Sequence, residues 1–263
     1  MGDLTGVRVV VTGATSGLGA AMADALLSAG ATVAFASRPT ARLDANVVQR
    51  RAKGLDAVSL PMDVRDPVSV QVAAHRAFEI LGGIDVVVNN AGIGMGTVNP
   101  RFLEMAMPFY EVTADGFRDM VATNLTGYFL VARAFTPLFL EQGRGRFVNV
   151  TANHETMRRK GFVPYGPARA GAEALSLIMV EDLRPYGITV NLLLPGGATD
   201  TGIIPGEVSP AIRKNLLQPG VMGAPIVFLA SSEAEGLTGE RIVAKDFENW
   251  HTVFRRRSTD PMT

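Results

Sequence analysis

Val7-Arg8-Val9-Val10-Val11-Thr12-Gly13-Ala14-Thr15-Ser16-Gly17-Leu18-Gly19 is the stretch whose reading decides the fold. An apolar, β-favouring run enters a glycine-rich turn. Ala21, Ala25, Leu26 and Ala29 then follow at helical spacing, so the stretch reads as buried strand, tight turn and helix start. Such a turn aims backbone N–H groups and the positive end of a helix at an anion. Gly13 takes backbone angles that a side chain forbids, while Gly17 and Gly19 let a pyrophosphate and the neighbouring strand come close. The inference is a dinucleotide-phosphate site made by Gly13, Thr15, Ser16, Gly17, Leu18 and Gly19. The spacing Gly-x-x-x-Gly-x-Gly differs from the Gly-x-Gly-x-x-Gly fingerprint, so the surrounding chain has to carry the assignment.

Outward from the turn, the chain repeats one unit. Ala31 to Ala36 reads as a second strand, Arg42 to Lys53 as a polar-faced helix ending at Gly54, and Ala57 to Met62 as a third strand leading to Asp63. A helix over Val68 to Leu81 and a strand over Ile84 to Val88 follow. Next come a long helix from Ala114 to Glu141, a strand from Gly145 to Val150, a helix from Pro167 to Tyr186 and a strand from Thr189 to Leu194. The strands are hydrophobic on both parities, as parallel strands covered on two faces are. The pattern predicts an α/β fold with a single doubly wound parallel sheet and helices on both faces. At 263 residues and 47% hydrophobic content the chain reads as one domain, residues 1–263.

Composition excludes several function classes. With 25 basic against 25 acidic residues there is no global field to attract nucleic acid or an anionic membrane. The absence of cysteine removes disulfides, thiolate metal sites and cysteine nucleophiles, and no metal site is expected. No apolar run approaches the roughly 20 residues of a membrane span, and Met1 to Gly6 carries no basic-then-apolar signal. A cytoplasmic protein acting on a small molecule is the default expectation.

Six ordered motifs then resemble the short-chain dehydrogenase/reductase family: Thr12 to Gly19, Asp63-Val64, Asn89-Asn90-Ala91-Gly92, Asn124-Leu125-Thr126-Gly127, Tyr165 with a basic residue four positions on, and Pro195-Gly196. The resemblance covers nearly the whole chain and implies a Rossmann fold with a nicotinamide cofactor across the carboxyl ends of the strands. It implies that Asp63 and Val64 border the adenine and that Asn90, Ala91 and Gly92 pass behind the ribose. It also adds Pro195, Gly196, Ala198 and Thr201 to the cofactor-binding set, with Tyr165 and Arg169. Asn89 and Asn90 read equally well as ties between strand ends.

Cofactor choice follows from the end of the second strand, where an acidic residue would accept from a ribose 2′-hydroxyl. Ser37-Arg38 stands there instead. A hydroxyl and a guanidinium suit a 2′-phosphate, so NADP(H) is expected over NAD(H).

The catalytic end departs from the family. By resemblance the set is Asn, Ser, Tyr, Lys: Tyr exchanges the substrate proton, Ser holds the carbonyl oxygen, and Lys grips the ribose and biases the Tyr. Asn124 and Tyr165 match, whereas Ala152 stands thirteen residues before Tyr165 and Arg169 four residues after it. An arginine keeps the charge and can grip ribose hydroxyls, but it does not release a proton. Pro167 prefers the first helical position, which places Tyr165 just ahead of the helix. Thr151, Asn153 and His154 are the candidate replacements for the missing hydroxyl; Thr151 has the right group, although strand alternation points it away from position 152. The catalytic set is therefore Tyr165, Arg169, Asn124 and Thr151. Arg158-Arg159-Lys160 most simply face solvent.

Substrate information lies in two segments. Ile93 to Thr113 holds Met95, Phe102, Leu103, Met105, Met107, Phe109 and Tyr110, which suit a roomy apolar pocket or adaptable packing. Gly197 to Gly223, rich in Gly and Pro with a short helical piece over Ala211 to Leu217, resembles the family's substrate lid. The tail from Asp246 reads as a docked helix with a frayed basic end. By resemblance alone a homodimer or homotetramer is expected. The expected function is an NADP(H)-dependent oxidoreductase interconverting a carbonyl and an alcohol on a mid-sized apolar substrate. The changes at Ala152 and Arg169 also permit an NADP-binding sensor or scaffold, or altered chemistry.

Overall fold

The computed structural model describes residues 2–204 and 213–259. Seven strands form one sheet: β1 (Arg8–Thr12), β2 (Thr32–Ser37), β3 (Ala57–Pro61), β4 (Val86–Asn89), β5 (Arg146–Val150), β6 (Thr189–Leu194) and β7 (Arg241–Val243). Their order is β3-β2-β1-β4-β5-β6-β7 and every pairing is parallel. Alternation along the strands feeds two cores. Val9, Val11 and Phe35 pack on one face with Met22 and Leu26 of α1 (Gly17–Ser28), Leu43 and Val47 of α2 (Ala41–Arg51), and Ile226 and Phe228 further on. Val10, Val87 and Phe147 pack on the other with α3 (Pro67–Leu81) and the later long helices. This is the expected doubly wound α/β sheet. The strand β7 is an addition to the sequence reading.

The long helix expected over 114–141 is three pieces. α4 (Ala114–Val121) starts at Thr113, whose side chain accepts from Gly116 N, and a π-helical turn (Ala122–Thr126) joins it to α5 (Gly127–Gln142). π turns inside helices frequently mark functional positions, and Asn124 lies within this one. After β5 comes the single turn α6 (His154–Met157), then α7 (Tyr165–Leu183). Tyr165 is the first residue of α7 rather than a residue ahead of it. Pro167 is accommodated because N–H groups of a first turn have no intrahelical partner to lose. α8 (Gly223–Ala230) and α9 (Phe247–Thr259) are the last two α-helices among the described residues. α9 docks as expected: Phe247, Trp250 and Phe254 gather on Phe228, with ring centroids 5.4–5.7 Å from it.

The topology positions the site. Order reverses between β1 and β4, and ligands of open α/β sheets lie outside the carboxyl ends of the strands at such a switch point. Thr12 ties this edge together: its Oγ1 donates to Val88 O at 3.1 Å and accepts from the N–H groups of Asn90 (2.9 Å) and Ala91 (3.0 Å). Asn89 Nδ2 donates to Asn149 Oδ1, and Asn149 Nδ2 to Ser176 Oγ on α7. Asn90 Nδ2 donates to Thr12 O, so both asparagines act as strand-end ties.

Candidate active site

A cleft of about 1770 Å³ runs across the carboxyl ends of the strands. Among its lining residues are Gly13, Thr15, Ser16, Gly17, Leu18, Ser37, Arg38, Asp63, Val64, Asn90, Ala91, Gly92, Thr151, Tyr165, Arg169, Pro195, Gly196, Ala198 and Thr201, all expected from sequence. Gly19 and Asn124 support the cleft from behind. A Cβ on Gly19 would stand 2.3 Å from Gly13 O, so the glycine serves the close approach of α1 to the turn. Gly13 has φ +67°, and a Cβ there would lie 2.9 Å from Ala91 Cα. The turn is therefore tightly packed on Ala91 and Asn90, and its N–H groups stand at the start of α1.

At the β2 end, Ser37 and Arg38 are joined in the lining by Thr40, Arg42 and Arg65. Arg65 Nη2 lies 3.1 Å from Asp63 Oδ2. This hydrogen bond, with Arg38 adding at longer range, holds the Asp63 carboxyl below the usual range against the opposing effect of burial. The Asp63 charge is thus already answered, while neither Arg38 nor Arg42 makes an ion pair among the described residues.

At the other end, Tyr165 is half-buried and Arg169, one turn on, is buried. Arg169 Nη1 donates to the Tyr128 hydroxyl at 2.6 Å and to Val150 O at 2.9 Å, while the Tyr128 hydroxyl donates to Val150 O at 3.0 Å. The guanidinium carbon lies 5.4 Å from the ring centroids of both Tyr128 and Tyr165. Burial works against its charge, but the two facing tyrosine hydroxyls outweigh that and leave the Arg169 pKa raised. For Tyr128 burial dominates and pushes the hydroxyl up, so it is neutral at working pH. Asn124 is fully buried, and both ends of its amide bond the backbone of Ile93 at 2.8 Å, which fixes the segment after Gly92.

The structure commits the Thr151 hydroxyl elsewhere. Thr151 Oγ1 donates to Glu173 Oε2 at 2.9 Å, and His154 Nε2 lies 2.9 Å from Glu173 Oε1. Arg241 completes the group, with Nε 3.0 Å from Glu173 Oε1 and Nη2 donating to Ala152 O at 2.8 Å. Strand alternation prevails at position 151: the hydroxyl faces α7. Asn153, next to Ala152 in the chain, is half-buried, lines the same cleft as Tyr165, and has no side-chain hydrogen bond among the described residues.

The substrate end is walled by Met95, Phe102, Leu103, Phe162, Ile203 and Ile204. Met105, Phe109 and Tyr110, grouped with them in the sequence, are exposed and lie outside this wall. In the lid segment, Thr199 bridges to Leu217 and Arg213 Nη1 lies 2.6 Å from Asp200 Oδ1. Ala211 and Ile212 of the expected helical piece lie outside the described residues. Among the described residues no group of three His, Cys, Asp or Glu could hold a metal, and no helix is long and apolar enough to cross a membrane.

A family model described as short chain dehydrogenase matches residues 7–210. The chain belongs to the short-chain dehydrogenase family. It is similar to 2,5-dichloro-2,5-cyclohexadiene-1,4-diol dehydrogenase of Sphingobium indicum, 31% identical over 245 residues covering 90% of this chain and 93% of that one. It is also similar to 1-deoxy-11-beta-hydroxypentalenate dehydrogenase of Streptomyces exfoliatus, 34% identical over 202 residues covering 76% and 70%. A solved short chain dehydrogenase from Burkholderia cenocepacia in complex with NADP superposes with a TM-score of 0.78 at 28% identity, covering 92% of this chain and 97% of that one. Short-chain dehydrogenases are oxidoreductases of carbonyls and alcohols that bind NAD(P), and this member shares their fold.

The site residues fit such a dinucleotide. Arg169 lines the cleft, and its Nε is buried without a partner among the described residues. Gly13 and Gly19 let the turn pack directly on Ala91 and on itself at the mouth of the cleft, where Gly13 and Gly17 line it. Tyr128, Glu173 and Arg42 were not singled out in the sequence. Tyr128 stands one helical turn after Asn124 and Glu173 two turns after Tyr165, spacings that place each pair on one helix face.

Proposed function

We propose that this short-chain dehydrogenase is NADP(H)-dependent and interconverts a carbonyl and an alcohol on a mid-sized, largely apolar substrate. The observation that carries the reading is Tyr165 lining the cleft beside the buried Arg169 cation, with Ser37, Arg38 and Arg42 at the opposite end. A bound nicotinamide supplies or accepts the hydride. Tyr165 gives its hydroxyl proton to the carbonyl oxygen in reduction and takes it back in oxidation. Arg169 stays charged and offsets the negative charge left on the Tyr165 oxygen. Because the guanidinium holds its protons, Tyr165 recovers its own from water in the cleft. Asn153 takes the place of the absent serine: Thr151 and His154 are both engaged by Glu173, and the free Asn153 amide is the remaining donor beside Ala152. Asn124 holds the Ile93 backbone behind the ribose side of the cleft. The apolar wall of Met95, Phe102, Leu103 and Phe162 takes the substrate body. A homodimer or homotetramer is part of the proposal by family likeness.

The experiment is NADPH oxidation over a panel of ketones, aldehydes and quinones, with Tyr165→Phe beside the natural chain. Turnover lost in the variant supports the oxidoreductase. Tight NADPH binding without turnover of any carbonyl favours a sensor.

A further inference from the structure

Arg158, Arg159 and Lys160 are all exposed, as expected, and of the three Arg159 also lines the mouth of the cleft. The loop that carries it is pinned. Gly161 has φ +78°, and a Cβ there would lie 2.8 Å from Ala106 Cβ, so the loop packs tightly against the 93–113 segment. Phe162 follows, nearly buried, edge-on to Phe102 at 5.9 Å and to Tyr165 at 6.3 Å. The Arg159 guanidinium carbon stands 4.9 Å from the centroid of the Phe162 ring, which holds the cation at the rim of the apolar wall, one ring away from Tyr165.

Its electrostatic setting differs from that of Arg65, Arg213 and Arg169, and it shares with Arg38 and Arg42 at the β2 end the lack of an ion pair among the described residues. Arg65 is answered by Asp63, Arg213 by Asp200 and Arg169 by its two tyrosines. No carboxylate pairs with Arg159 among the described residues, and of the carboxylates that line the cleft Asp63 is paired with Arg65 and Asp200 with Arg213. A cation parked on an aromatic wall, with one end of that wall at Tyr165, is a recognition element for a molecule that is apolar along its length and anionic at the end remote from its carbonyl. A single planar guanidinium fork matches one carboxylate in two parallel hydrogen bonds.

We propose that Arg159 is a specificity-determining residue that selects apolar substrates bearing a carboxylate remote from the reacting carbonyl. The inference rests on the oxidoreductase reading for where the carbonyl lies, and on the Arg159–Phe162–Tyr165 geometry for where the carboxylate lies.

Two measurements on the full chain with NADP⁺ or NADPH test it. The first is calorimetric binding of biphenyl-4-carboxylate against its methyl ester, neither of which has a carbonyl to be reduced to an alcohol at the Tyr165 end. The second is kcat/KM for 4′-formylbiphenyl-4-carboxylate against its methyl ester. The acid is expected to be preferred about tenfold in each, the scale of one partly desolvated charge-assisted contact. That preference should fall to within about twofold in Arg159→Ala, persist in part in Arg159→Lys and reverse in Arg159→Glu. Equal handling of acid and ester by the natural chain, or an acid preference unchanged in Arg159→Ala and Arg159→Glu, overturns the proposal. An Arg159-dependent acid preference in binding with no turnover of either aldehyde supports the carboxylate site and tells against the oxidoreductase reading instead. Turnover of both aldehydes without preference does the reverse.

Discussion

Arg169 donates from Nη1 to the Tyr128 hydroxyl at 2.6 Å, and both groups converge on the carbonyl of Val150. The arginine in α7 is thereby matched by a tyrosine from α5 that neutralises none of its charge but satisfies its geometry. Removing the hydroxyl leaves a buried guanidinium nitrogen short of a partner, which costs about 1–3 kcal/mol. Tyr128→Phe is expected to lose that much in urea unfolding. A double-mutant cycle with Arg169→Lys should show coupling of about 0.5–3 kcal/mol, since the shorter ammonium forfeits the same contact.

Cofactor discrimination is expected to reside in Arg38. Arg38→Ala should weaken NADPH by about 10- to 100-fold in fluorescence titration, the value of a charge-assisted phosphate contact, while NADH changes little. Equal or tighter NADH binding by the natural chain contradicts the NADP(H) assignment.

The substitution of the carbonyl donor is separable from the Glu173 network. Asn153→Ala should lower kcat/KM by about 10²–10³, as removal of an oxyanion donor does. Thr151→Val, which loses only its bond to Glu173, should lower it by less than about tenfold. The opposite ranking returns the role to Thr151.

Glu173 is also a source of pH-dependent stability. Burial raises its pKa, but His154, Thr151 and Arg241 outweigh burial and hold the folded carboxyl below the ordinary range. The unfolded group titrates near about 4.3, so the stabilisation is fully present above that pH and is lost as pH falls through the lower folded value. The stability difference between the natural chain and Glu173→Gln should therefore be largest near neutrality and shrink on acidification below about pH 4. A difference that is constant from pH 7 to pH 3 contradicts this.

Much of the fold was legible because burial on both faces leaves a plain mark. Val9-Val10-Val11 and Val86-Val87-Val88 are apolar at every position, and each feeds both cores. The strand Arg241–Val243 escaped because three residues with one fully buried side chain, Ile242, carry no periodicity to read. The break at Ala122–Thr126 escaped because a π turn costs one residue of register and no apolar position. At the site, residues joined by a local motif were legible, as with Gly13 to Gly19. Groups brought in by packing were not. The relation of Tyr128 to Arg169 depends on α5 and α7 meeting at the Val150 carbonyl of β5, and that of Arg159 to Tyr165 on an edge-to-face contact through Phe162. The direction of the Thr151 hydroxyl was open at a strand end, and only Glu173, on a different element, settles where it points.

The central claim is that Tyr165 and Arg169 serve hydride chemistry rather than cofactor storage. The most direct measurement follows deuterium from [4,4-²H₂]NADPH into the product of a reduced carbonyl by mass spectrometry, for the natural chain and for Tyr165→Phe. One deuterium is expected on the carbinol carbon, formed at least about 10²-fold more slowly in the variant, the scale of a lost general acid. NADPH bound but never giving up its deuterium, or transfer at an undiminished rate in Tyr165→Phe, would contradict it.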